Sequence, residues 1–199
     1  GRSIVDLQLA TMARLAELPR IVGVKDATGD LGRVSDYRRA IAGEFCQLSG
    51  NDETALAHFA HGGSGCISVS ANVAPGLCAE FQQACAEGNM ARARELNDRL
   101  HPLHRAMFED TSPGPVKYAL SRVNDWITDE VRLPIVACGE AARKSVDAAL
   151  ARYDDDYSPI SDMRASAEYR MLAARNLLRR FHLETTGTGK PLTVRRHEP

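Results

Sequence analysis

No run in the chain approaches the roughly 20 apolar residues of a membrane-crossing helix, and no stretch has the order of a secretion signal. Paired thiols are missing too. The five cysteines, Cys46, Cys66, Cys78, Cys85 and Cys138, stand singly with no CxxC among them. That argues against a paired-thiol metal or redox motif; three lie in apolar runs and read as small buried hydrophobes, suited to a reducing cytoplasm. Surplus charge is lacking: 25 Lys and Arg against 26 Asp and Glu leave a net −1, with no overall pull toward nucleic acid or an anionic membrane. No initiator Met opens the chain, so Gly1 reads as an internal position of a longer polypeptide. What remains is 199 residues, 44% hydrophobic and 26% charged, enough for one soluble globular domain with a sizeable core.

Apolar spacing orders the elements. Residues 3–18 carry Ile4, Leu7, Ala10, Met12, Leu15 and Leu18 at near-helical intervals, with Ser3 as a candidate N-cap. After Pro19, Ile21-Val22-Gly23-Val24 is a short continuous run of the kind buried on both faces of a parallel sheet. Helix is expected over 30–41, strand over 45–48, helix over 53–60, strand over 66–70, and helix over 75–86, with Pro75 in its first turn and Gly88 beyond its end. Short loops and strict alternation imply a parallel sheet. Beyond it, residues 89–99, 115–122 and 139–153 show helical periodicity only. About three strands cannot close a barrel that needs eight. The expected fold is therefore α/β: the C-terminal part of a (β/α)8 TIM barrel over residues 1–88, then a helical region over 89–153.

Lys25 follows the first strand directly and precedes the loop Asp26-Ala27-Thr28-Gly29. In a parallel barrel that is the mouth where catalytic groups sit. An ammonium against apolar walls has its charged form disfavoured, which leaves free amine for addition to a carbonyl and imine formation. Spacing alone favours the plainer reading, a strand-end lysine whose head reaches water. Gly50, in Ser49-Gly50-Asn51-Asp52, lets a ligand approach backbone closely; the same stretch reads as a strand-to-helix turn capped by Asn51 or Asp52, and both readings can hold. Small polar residues after Ile67 leave room for a pocket or pack a final strand tightly. Arg2, before the first helix, has the fork geometry that grips a carboxylate, and otherwise is a terminal arginine.

These residues carry a resemblance. Ile21-Val22-Gly23-Val24-Lys25-Asp26-Ala27-Thr28-Gly29-Asp30-Leu31 is similar to the lysine signature of the dihydrodipicolinate synthase and N-acetylneuraminate lyase family. Ser49-Gly50-Asn51-Asp52, Gly65-Cys66-Ile67-Ser68-Val69-Ser70-Ala71-Asn72, Ser112-Pro113-Gly114-Pro115-Val116-Lys117 and Asp129-Glu130-Val131-Arg132-Leu133-Pro134 match its later signatures in order, over residues 1–152. The resemblance implies a lyase in which Lys25 forms an imine with pyruvate, whose enamine attacks aspartate semialdehyde on the way to diaminopimelate and lysine. It implies that Arg2 binds the semialdehyde carboxylate, favouring the synthase over sugar-acid aldolases, and that Gly50 and Ile67 line the pyruvate site through backbone. It implies no metal, no organic cofactor, and a homo-oligomer, commonly a tetramer, when the barrel is complete. The family's proton-relay tyrosine and paired threonines precede the segment matched here, so this chain alone is expected to be inactive or nearly so.

The tail differs in character. Asp154-Asp155-Asp156 forms an acidic junction. Arg164, Arg170, Arg175, Arg179 and Arg180 then outnumber Asp162 and Glu168, while Tyr169, Leu172, Ala173, Leu177 and Phe181 make one helical face. That pattern is an amphipathic helix seeking a packing surface; no aromatic interleaving supports nucleic acid binding. Ser158-Pro159-Ile160-Ser161-Asp162-Met163-Arg164-Ala165-Ser166-Ala167-Glu168-Tyr169-Arg170, continued by Arg175-Asn176-Leu177-Leu178-Arg179-Arg180-Phe181, resembles the C-terminus of the flavin-binding subunit of xanthine dehydrogenase, over residues 158–184. Gly187-Thr188-Gly189-Lys190 is not a phosphate loop, and residues 185–199 are expected to be a disordered tail. Three function classes follow: a lyase part, a noncatalytic fusion remnant or chimera, and a piece of a flavin subunit.

Overall fold

The computed structural model describes residues 5–124 and 126–154. The chain divides into two compact units, Gly1–Leu150 and Ala151–Pro199. Nearly all of the second lies outside the described residues, as do Arg2, Ser3, the expected helix within 158–184 and the tail 185–199.

Within the first unit the expected alternation is present: α1 (Leu9–Ala16), β1 (Gly23–Asp26), α2 (Gly32–Ala40), β2 (Cys46–Ser49), α3 (Ala55–Ala60), β3 (Gly65–Cys66), a 3-10 turn (Ser70–Asn72), α4 (Pro75–Ala86), α5 (Met90–Ala106) and α6 (Gly114–Val123). α7 (Glu140–Asp154) reaches into the second. The strands form one parallel sheet in the order β1-β2-β3, with Lys25 beside Leu48 and Ser49 beside Cys66.

Several boundaries differ from the sequence expectation, each for an identifiable reason. The first helix starts at Leu9 rather than near residue 3, after an extended Gln8 whose side chain makes no cap. β1 runs two residues later than expected, so Lys25 lies within the strand. Pairing begins where Cys46 donates its N–H to the Val22 carbonyl at 2.9 Å, and the strands then close so tightly that a Cβ on Gly23 would stand 2.4 Å from the Cys46 carbonyl oxygen. The expected burial of 21–24 on both faces does not hold. Ile21 is 37% and Val22 70% exposed, because β1 is an outer strand with no neighbour on its far side among the described residues.

β3 is only two residues long and keeps one of its expected residues, Cys66. The Asp52 carboxylate accepts hydrogen bonds from the Val69 and Ser70 amides at 2.8 and 3.2 Å, and the chain turns into the 3-10 segment instead of extending. Neither Asn51 nor Asp52 caps α3; Thr54 occupies that position, without a side-chain bond. α5 runs seven residues past the expected end at 99, straight through Pro102. An internal proline costs a helix about 3 kcal/mol. Here Leu100, Leu103, Ala106 and Met107 carry the buried stripe onward at 4% exposure or less, and each large apolar side chain fully buried returns about 1.5–3 kcal/mol.

The core lies where α4 packs on α5, its most extensive helix contact, with Phe81, Ala84 and Cys85 facing Ala93, Leu96 and Leu100. Cys78, Cys85 and Cys138 are buried, Cys66 is intermediate, and Cys46 is exposed rather than a core hydrophobe; all five are free thiols. Among the described residues, no helix is long and apolar enough to cross a membrane.

Two core histidines should make the fold acid-sensitive. His58 in α3 lies so close beneath Gly63 that a Cβ there would meet its Nδ1 at 2.0 Å, and neither ring nitrogen has a hydrogen-bond partner. His104 in α5 shares a buried 2.7 Å hydrogen bond with the Ser70 hydroxyl. Burial holds both imidazoles below the ordinary 6.5, with Asp26 and Asp52 opposing that shift. The unfolded chain therefore takes up protons that the folded chain refuses as pH falls from 6.5. Stability should be full above that value and decline below it, by up to about 1.4 kcal/mol per pH unit for each ring. Urea midpoints at pH 7.5 and 5.0 check this; His58→Gln should flatten the profile.

Candidate active site

Lys25, Gly50 and Ile67 come together at the carboxyl ends of the three strands. The parallel register sets Lys25 beside Leu48 and Asp26 beside Ser49, which brings Gly50 just past the lysine. The Gly50 amide donates to the Asp26 carbonyl at 2.6 Å, and the Ile67 amide donates to the Ser49 carbonyl at 2.8 Å. Backbone bonds thus fix both positions without help from their side chains. The Lys25 side chain runs across Gly50: a Cβ there would lie 2.9 Å from Lys25 Cε and 2.7 Å from Ala27 Cβ. Only glycine leaves that passage open. Gly50→Ala is expected to push the amine aside and cut condensation at Lys25 about tenfold to a hundredfold, read as the yield of reductively trapped keto acid; an unchanged yield contradicts the passage.

Two expectations fail around Lys25. It is exposed, as is Ile67 at 47%, so the apolar enclosure read from the flanking residues is not there. The room expected beside the small residues after Ile67 does exist, away from the Lys25 amine. A cavity of about 260 Å³ is lined by Cys66, Ser68 and Ala71 with Pro75, Cys78 and Phe81 of α4, and by Asp52 and His104. Lys25, Gly50 and Ile67 take no part in it. Its thiols are poor nucleophiles: burial, reinforced by the Asp52 carboxylate, pushes Cys66 up to about 12, and burial pushes Cys78 up to about 11. The Lys25 amine lies instead on the open rim of the sheet, outside that cavity.

Behind that rim lie residues that sequence reasoning missed. Asp26 Oδ1 accepts from the Thr28 amide at 2.8 Å and hydroxyl at 2.6 Å, closing the loop after β1. Its Oδ2 takes Arg33 Nε at 2.8 Å. Asp52, 4% exposed, clamps the β2 and β3 ends together through Val69 and Ser70. The Asp52 partners are 17 and 18 positions away in sequence, so no local pattern announces them. Arg2, the expected carboxylate ligand, lies outside the described residues.

Taken by fold and rim, this is a parallel α/β chain of the (β/α)8-barrel type with an amine at a strand's carboxyl end. It belongs to the dihydrodipicolinate synthetase family, a lyase family, whose model matches residues 1–153. The chain is 61% identical over 151 residues to the 4-hydroxy-tetrahydrodipicolinate synthase of Sphingopyxis alaskensis, covering 76% of this chain and 52% of that protein. It is 63% identical over 152 residues to the synthase of Erythrobacter litoralis, covering 75% and 52%. Among solved structures, the dihydrodipicolinate synthase of Aquifex aeolicus superposes with a TM-score of 0.72 at 34% identity, over 75% of this chain and 51% of that one. The chloride-inhibited synthase of Acinetobacter baumannii, complexed with pyruvate, gives 0.70 at 38% identity, over 75% and 51%. The chain spans about half the length of the relatives it matches.

A second model, the CO dehydrogenase flavoprotein C-terminal domain, matches residues 139–185. That range takes in the resemblance seen over 158–184 and extends back through α7. Both family matches therefore cover residues 139–153, and the second match begins before the acidic residues at 154–156.

Proposed function

We propose that residues 1–150 are the C-terminal part of a Schiff-base-forming lyase barrel of the 4-hydroxy-tetrahydrodipicolinate synthase type, with Lys25 as the imine-forming amine. The observation that carries this reading is the Lys25 side chain laid across Gly50 at the carboxyl rim of a parallel sheet, where barrel enzymes place their chemistry. The amine adds to the pyruvate ketone and water leaves. Loss of a methyl proton from the imine then gives the enamine, whose carbon attacks the aldehyde of aspartate semialdehyde. Arg2 holds the aldehyde's carboxylate, and the backbone of Gly50 and Ile67 borders the keto acid. The acid–base groups that move these protons belong to the part of the relatives' length that this chain does not span. The complete assembly is a cytoplasmic homo-oligomer, and the reaction runs on side chains without a metal or organic cofactor.

The test is reductive trapping. Pyruvate with cyanoborohydride should place a carboxyethyl group on Lys25 ahead of Lys117 and Lys144, read by peptide mass spectrometry. Equal labelling of Lys25, Lys117 and Lys144 sinks the reading. The exposure of Val22 and Ile67 favours a second one, a noncatalytic remnant, which predicts equal labelling together with strong binding of an apolar dye. The flavoprotein match at 139–185 favours a further role for the tail, checked by flavin absorbance in the purified chain.

A further inference from the structure

Arg33 occupies the first turn of α2, where the positive end of the helix dipole disfavours a cation. No helix requirement puts it there. Its side chain, 17% exposed, is committed in four directions. Nε donates to Asp26 Oδ2 and Nη1 to Asp6 Oδ2, each at 2.8 Å. Nη2 donates to the Leu7 carbonyl at 2.8 Å and to the Tyr37 hydroxyl at 2.5 Å. Burial alone would lower the guanidinium, yet the bonds to Tyr37 and Asp6 hold it above its ordinary range. On one side the fork grips Asp26, the residue after Lys25, which also closes the Thr28 loop and receives the Gly50 amide. On the other it grips Asp6 and Leu7, four and five positions after Arg2 in the chain.

We propose that Arg33 is a positioning residue that ties Asp6 and Leu7 to the end of the Lys25 strand, so that the chain entering α1 and the amine-bearing strand share one anchor. The proposal rests on the role given above to Lys25, and it adds the group that fixes the end of the Lys25 strand. A planar guanidinium with charge-assisted bonds along several fixed directions suits that task, because it fixes direction as well as distance. A lysine, a single-point cation, cannot donate along all four directions at once. α1 packs on α2, while residues 5–8 stay exposed; the Arg33 fork reaches Asp6 and Leu7 among them.

The experiment uses the full 199-residue chain carrying Asp6→Asn, Arg33→Ala, Arg33→Lys, or Asp6→Asn with Arg33→Ala. Amide exchange is followed at Thr28 and Gly50, with Leu96 and Leu100 in α5 reporting whether the fold survives. Asp6→Asn should speed exchange at Thr28 and Gly50 about tenfold, the weight of one charge-assisted hydrogen bond, though Asp6 touches neither residue. In the Arg33→Ala background the same change should do nothing more, and Arg33→Lys should behave like Arg33→Ala. The share of trapped pyruvate on Lys25 relative to Lys117 and Lys144 should fall in parallel. Unchanged exchange at Thr28 and Gly50 in Asp6→Asn overturns the anchor, as does an equal effect with and without Arg33. A parent chain with no Lys25 preference but intact Asp6-to-Thr28 coupling sinks the imine reading instead, so the two failures are distinguishable.

Discussion

Offered pyruvate and cyanoborohydride, this chain is expected to label Lys25 about a hundredfold or more slowly than a complete relative such as the Sphingopyxis alaskensis synthase, and Lys25→Ala to lose the site-specific adduct entirely. Condensation of an amine with a ketone needs protons delivered and removed at the carbinolamine, work for which positioned acid–base groups supply about 10²–10⁴-fold. The chain spans 52% of that relative, and the described rim holds no group in hydrogen-bond contact with the Lys25 amine. Enclosure is lacking as well, since Lys25 is open to solvent and Val22 before it is 70% exposed. Orientation over Gly50 survives, which is why a preference for Lys25 over Lys117 and Lys144 should persist at the slower rate. Labelling at a rate equal to the complete enzyme would mean that these three strands suffice for the chemistry.

The largest effect on stability is expected at Asp52. Its carboxylate is 4% exposed and receives the Val69 and Ser70 amides. Asp52→Ala leaves two amides without an acceptor where the chain turns from sheet into the 3-10 segment. An unpaired buried donor costs about 1–3 kcal/mol, so the loss should be about 3 kcal/mol, read as a fall in the urea midpoint. Asp52→Asn keeps one acceptor oxygen and should lose about half as much. A second readout separates charge from packing. Because the carboxylate contributes to the raised Cys66 value of about 12, both substitutions should speed alkylation of Cys66, while Cys85, raised by burial alone, stays slow. A change in midpoint below about 0.5 kcal/mol, the range of ordinary surface substitutions, would remove Asp52 as a clamp.

The lysine and its strand were legible because the signal is local. A run of apolar residues, a lysine and a turn signal lie within nine positions, from Ile21 to Gly29, and the period of a strand needs no distant partner to be seen. Helix α4 was read to the residue, since Pro75 and Gly88 bracket it. The end of α5 was misread because a proline is a strong local stop, whereas the burial that overrides it comes from α4. Asp52 read as a cap because caps are local; its actual partners lie on the far side of α3. Arg33 gave no signal at all. Its bonds to Asp6 and Leu7 span 27 and 26 positions, and a charged residue in a polar stretch looks like any solvated one.

Periodicity, turn residues and ordered motifs by themselves determined the α/β alternation, the parallel sheet, the position of the amine at a strand end and the family to which the chain belongs. Each element and each motif behind them is written within about a dozen neighbouring residues, where backbone geometry and apolar spacing act directly. Tertiary structure alone decided that the rim is open, that the cavity lies against α4 and not at Lys25, and that Asp52 and Arg33 tie the strand ends together. Those outcomes depend on which surfaces find a neighbour, and a neighbour distant in sequence becomes a physical cause only once the chain has folded.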